Sequence, residues 1–207
     1  ITCGHGNSAV FSNKFYNASD EFPLLYVSDI TGDVYVNRVT RTSATLIETL
    51  YFDPSTYGAC PQFALCEAHD TKQLCYVIGG NNMTSPYYPI TAVTVSICDL
   101  ATTTTENNKT IPTLLDSFTV NLTGSYIVLQ GVKFKNGKLF LTSGGNSTSV
   151  KSLISIIDPY RKALINTLTD FNDIITDHEL EDIDFIYNNV VNTLDAICFV
   201  REYGYYK

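Results

Sequence analysis

Tryptophan is absent from the 207-residue sequence, methionine occurs once, and runs of Ala, Glu, Lys and Leu at helical spacing are missing. Long helices therefore have little to form from. Clustered basic residues are missing as well. The 13 Lys and Arg stand singly against 21 Asp and Glu, for a net charge of −8. Binding to a phosphate backbone needs a basic patch, so nucleic acid is not an expected partner. No apolar run approaches the length of a membrane-spanning helix. No C-x-x-C pair occurs, which removes the usual spacing for zinc or a thioredoxin-like motif. There is no G-x-S-x-G, and no Cys/His arrangement carries a recognisable nucleophile signature.

What remains points to strands. Apolar residues make up 44% of the chain and charged residues 16%, a globular balance. Thr, Val, Ile, Tyr and Phe are abundant, and these residues fit a pleated, half-buried surface. The chain opens at Ile1 without a Met, and it is read as a processed product or an excised domain.

The strongest signal is an internal repeat of about fifty residues. Its clearest copy, from Gln130 to Phe171, reads QGVKFKNGKLFLTSGGN, SLISIIDP and ALINTL. Asn136-Gly137 predicts a type I′ hairpin turn between strands Val132–Lys135 and Lys138–Thr142, because that turn needs positive φ at both central residues. A second copy starts at Gln62 (QFALCEAHDTKQLCYVIGGN, ITAVTVSICDL, TLLDSF) and a first reads NSAVF, LLYVSDITGD, VYVNRV, TLIETL. In that first copy Asp29 to Asp33 is a hairpin turn with Gly32 at positive φ. The closing strands starting at Leu46, Leu114 and Leu164 match best. Their unequal spacing is assigned to the polar tract Thr102–Pro112, read as an exposed loop. A shorter fourth copy begins at Glu181.

Units of four short strands at this period predict an all-β fold, a β-propeller of about four blades. The expected blades span residues 1–54, 60–122, 126–171 and 179–207 of a single domain, with a β-sandwich as the alternative. Ring closure would bring Cys3 and Cys198 together as a disulfide. Cys66 and Cys75, flanking the turn Ala68–Thr71, are either a second disulfide or two small buried hydrophobes. Cys98 and Cys198 fall in apolar strands, where a buried thiol is the plain reading. Five N-x-[ST] triplets start at Asn17, Asn82, Asn108, Asn121 and Asn146. In a chain this rich in Asn, Ser and Thr such triplets arise by chance, and they carry no weight.

FPLLYVSDITGDVYV, GVKFKNGKLFLTSGG followed by IIDP, and LEDIDF resemble the degenerate repeats of NHL/YVTN-type and glutamine-cyclotransferase-like propellers. The opening GHGNSAVF…FPLLYVS resembles the start of propeller domains in gut-bacterial surface proteins and their phages. That resemblance implies a binding or scaffold role at a cell surface or virion, outside the cell.

Propeller ligands sit at the mouth of the central channel. The repeat places Asn7, Gln62, Gln130 and Glu181 at the start of each innermost strand, where they form a candidate ligand-binding ring. His5 and His178 precede their strands and, with Glu181, are the catalytic candidates. His69 falls in a hairpin turn. The stretch Asp170–Asp184 holds seven acidic residues, a candidate for Ca²⁺ but without the calcium-loop motif. A solvated acidic connection explains it as well. Tyr87 and Tyr88, with Tyr203, Tyr205 and Tyr206, offer contact surfaces for glycan or protein. The expected function is thus a non-enzymatic binding or structural module, as part of a larger chain or a homo-oligomer. The alternative is a hydrolase, lyase or cyclotransferase at the channel mouth.

Overall fold

The computed structural model describes residues 8–66, 73–82, 90–123, 129–144, 152–168, 178–188 and 193–202. It is all-β apart from one short helical turn. Four strands come first: β1 (Ser8–Phe11), β2 (Leu25–Ser28), β3 (Asp33–Val39) and β4 (Ala44–Tyr51). The turn α1 (Pro54–Tyr57) follows, capped by the Asp53 carboxylate, which accepts from Ser55 N at 2.9 Å. Next come β5 (Ala59–Leu65), β6 (Leu74–Gly80), β7 (Ala92–Glu106) and β8 (Lys109–Asn121). The third set is β9 (Leu129–Lys135), β10 (Lys138–Ser143), β11 (Leu153–Asp158) and β12 (Ala163–Leu168). A final pair, β13 (His178–Asn188) and β14 (Thr193–Glu202), closes the described chain.

Within each set, consecutive strands pair antiparallel. The first two sets join through a single parallel bridge, Leu50 to Thr110, into one eight-stranded sheet ordered β1-β2-β3-β4-β8-β7-β6-β5. Its two end strands, β1 and β5, return against each other, so the sheet is nearly closed and barrel-like. β9 to β12 form a second sheet, and β13 and β14 pair as a third.

Turn chemistry explains the local order. Asn136 and Gly137 sit at φ 50° and 74°, the expected type I′ pair, and Lys135 faces Lys138 across the turn. Gly32 has φ 90°, and a Cβ there would stand 2.1 Å from the Phe52 carbonyl oxygen, so no other residue fits. The tract Thr102–Pro112 is not a loop. It extends β7 and β8 into a long hairpin, with Thr105 opposite Thr110 and Glu106 opposite Lys109. Thr and Ile favour strands even where exposed, and Asn107 and Asn108, at φ 50° and 61°, supply the turn that low hydrophobicity had hidden.

Strand alternation then feeds three cores. Phe63, Cys75, Val77 and Cys98 of β5 to β7 point into the curled sheet and meet Tyr26, Val34, Val36, Leu50, Phe52 and Tyr57. Phe63 stacks on Tyr26 with ring centroids 5.5 Å apart. The intervening residues Ala64, Tyr76, Ile78, Val93 and Val95 face the other way. They pack on Val132, Phe134, Leu139, Leu141 and Ile157 of the second sheet. The opposite side of that sheet holds Ile154 against Leu180 and Ile183 of β13, with Phe140 edge-on to Phe185 at 4.7 Å.

Candidate functional site

The innermost strand starts converge. Ser8 Oγ, at the start of β1, donates to the Phe63 carbonyl of β5 at 2.9 Å and lies 3.4 Å from the Val132 carbonyl of β9. β13 in turn lies against β9, where Lys133 Nζ meets Asp184 Oδ1 at 2.9 Å. The candidate ring residues Gln62 and Gln130 therefore come from strands packed side by side, each one or two positions from a carbonyl that Ser8 touches. Both are buried, Gln62 completely so.

The chemistry available there is hydrogen bonding. Gln62 Nε2 donates to the Cys60 carbonyl at 3.2 Å, while Gln62 Oε1 is buried without a partner. Gln130 has an interaction partner of its own. An orphaned acceptor where strands meet is a place for a bound donor, a water or a polar ligand group. Cys60, beside it, has φ 49°, and burial pushes its thiol up to about 11, which keeps it protonated and poorly nucleophilic at neutral pH.

The catalytic candidates stand differently. His178 begins β13, with its backbone opposite Glu202, and Glu181 falls at the register shift between Leu180 and Asp182, a bulge position. His5, His69, Asn7, Tyr87, Tyr88, Tyr203, Tyr205, Tyr206 and Cys3 lie outside the described residues. So does most of the acidic stretch from Asp170. Of its described members, Asp184 is paired with Lys133 and Asp182 Oδ1 accepts from Ile183 N at 2.8 Å. No group of three or more His, Cys, Asp or Glu able to hold a metal ion occurs among the described residues. No helix among them is long and apolar enough to cross a membrane.

The cysteine geometry corrects one pairing. Cys66 and Cys75 are separate thiols on opposite faces of the sheet: Cys66 packs toward the core of Tyr76 and Ile78, Cys75 toward that of Phe63 and Val77. The residue facing Cys75 across the hairpin is Leu65, so the register puts Cys66 one position out of step. Cys75 instead stands directly opposite Cys98 of β7. Cys198 lies in β14, opposite Ile183.

Sequence reasoning missed the outer strands. β4, β8 and β12 carry Leu46-Ile47, Leu114-Leu115 and Leu164-Ile165 at the same step of the repeat. All but Leu164 are exposed, Leu115 and Ile165 by 51% each. The closing-strand match had flagged these very residues; that they face solvent was not visible in it. β12 sits beside β8, with Lys162 Nζ 2.7 Å from Asp116 Oδ2 and 5.6 Å from the centre of the Phe118 ring.

No protein-family model matches this sequence, and no curated protein is similar to it.

Proposed function

We propose that the chain is a propeller-like module of three four-stranded blades, β1–β4, β5–β8 and β9–β12, with a shorter fourth begun by β13 and β14. We further propose that it works as a non-enzymatic binding or structural module for a protein or glycan ligand at a cell or virion surface. Support for the blades comes from the sequential meanders, from the mutual contact of inner strands β1, β5 and β9, and from the packing of β13 on β9. Each sheet also packs its faces against the next, as a blade must.

The observation that carries the binding role is the repeated exposed apolar pair on the outer strands. Each pair sets two apolar side chains next to each other along one strand, and grouped exposed apolar residues mark an interaction surface more often than isolated ones do. At the inner strands, by contrast, Ser8 is buried and ties β1 to β5 through the Phe63 carbonyl, while buried Gln62 bonds back to Cys60 of its own strand.

The test is a binding screen against glycans and candidate surface proteins, run beside a panel of hydrolase and lyase substrates. The double variant Leu114→Ser/Leu115→Ser is expected to lose a detected protein ligand by tenfold or more while melting at the wild-type temperature. Turnover on the panel with no binding to any ligand overturns the proposal, and so does binding that the variant retains in full.

A further inference from the structure

Among the described residues, the buried polar or reactive groups outside the proposed surface include the unpartnered Gln62 Oε1, Asn37 Oδ1 and Ser155 Oγ, and the thiols of Cys75 and Cys98. The amides and the hydroxyl each offer a single polar atom. The thiols form a constructed pair.

Cys75 lies in β6 and Cys98 in β7, at directly opposed positions of an antiparallel ladder that runs unbroken from Leu74–Asp99 to Gly80–Val93. Both are completely buried in the core inside the curled sheet. Each thiol shifts the titration of the other, and the Tyr57 hydroxyl lies 3.8 Å from Cys98 Sγ. Opposed residues of an antiparallel pair have Cα atoms about 4.5–5.5 Å apart, inside the range that a disulfide spans.

We infer that Cys75 and Cys98 are a disulfide-forming site, a cross-strand staple that closes between β6 and β7 when the chain folds in the presence of a small or protein disulfide oxidant. The thiolate of Cys98 attacks the oxidant disulfide, forming a mixed disulfide and releasing one thiolate. Cys75 then gives up its proton and attacks the Cys98 sulfur, expelling the second thiolate. Two protein thiols and one oxidant disulfide become one protein disulfide and two oxidant thiols. The two cysteines can exchange these roles, since the burial that distinguishes their thiols in the closed core is not yet in place when the bond forms.

Burial sets the timing. Once Phe63, Val77 and Phe52 have covered the pair, an external reagent has no path to it. The bond therefore forms while the β6–β7 hairpin is paired and the sheet has yet to close, and afterwards it is shielded from reductants. The staple is independent of the proposed binding role and holds whether or not a ligand is found.

The chain is refolded with a mixture of oxidised and reduced glutathione, its remaining thiols are alkylated, and it is digested without reduction. Mass spectrometry is expected to find the Cys75 peptide joined to the Cys98 peptide. The oxidised protein should melt about 6–12 °C above the reduced one. Cys98→Val, close in volume to Cys, should fold and show no difference between the two conditions, and Cys66→Ser should keep the whole shift. Recovery of Cys75 alkylated, or joined to Cys66, overturns the inference. So does a Cys75–Cys98 bond that leaves the melting temperature unchanged.

Discussion

β5 and β8 are the first and last strands of the same four-stranded set, and both carry several apolar residues. Yet β5 buries five successive residues, Cys60 to Ala64, polar Gln62 among them, while β8 leaves Leu114 and Leu115 in solvent. The same contrast holds between β9 and β12. An inner strand has neighbours on both faces and other inner strands along its edge, so even its polar side chains lose water and must find backbone partners. β8, though paired with β7 and bridged to β4, leaves Leu114 and Leu115 without a covering layer among the described residues. Neighbouring layers, not hydrophobicity alone, decide which leucine is covered.

Truncation should expose that contrast most sharply. Phe63→Ala removes a ring stacked on Tyr26 and tilted against Phe52 at 6.0 Å, and is expected to cost about 3–5 kcal/mol in urea unfolding. Leu115→Ala on the outer strand should change stability by no more than about 0.5 kcal/mol. Equal losses at the two positions would break the inner–outer distinction. A smaller effect is expected at the convergence of inner strands. Ser8→Ala leaves the Phe63 carbonyl without its hydroxyl donor and should cost about 1 kcal/mol by the same measurement. A neutral Ser8→Ala would mean that β1 is held to β5 by packing alone.

The smallest effect belongs to the second sheet and appears only in acid. Asp158 ends β11, where the Arg161 and Tyr160 backbone N–H groups and the Lys138 ammonium hold its carboxyl below its ordinary value of 3.8. A depressed carboxyl contributes stability that is present in full above the unfolded value and is lost as pH falls through the folded one. Asp158→Asn should therefore flatten the decline in unfolding midpoint below about pH 4 and leave the profile's shape from pH 5 to 7 unchanged. An identical acid decline in both proteins would remove Asp158 as its source.

Much of the fold was legible because it is written locally. The Asn136-Gly137 turn, the Gly32 turn, and the order of strands within each copy follow from residues close in sequence, whose backbone preferences act without distant help. The hairpin at Asn107-Asn108 escaped because its strands carry no buried face, and polarity looked like a loop. Of the candidate ring, the placement of two residues can be compared with the sequence. The repeat alignment put Gln62 and Gln130 at equivalent steps, and they do lie on adjoining inner strands. Their burial, and the role of Ser8 in tying three strands together, depend on chain segments up to 124 positions apart.

The cysteines and the outer leucines mark the boundary between the two kinds of information. By itself the sequence determined an all-β chain and several of its turns, since β-propensity and positive-φ residues act on the backbone that carries them. Only the tertiary structure decided that Cys75 faces Cys98 rather than Cys66, because a one-residue difference in register moves a side chain to the other face of a sheet. Only it decided, too, that Leu139 is covered and Leu115 is not. Burial is conferred by neighbours, and those neighbours come from other sheets.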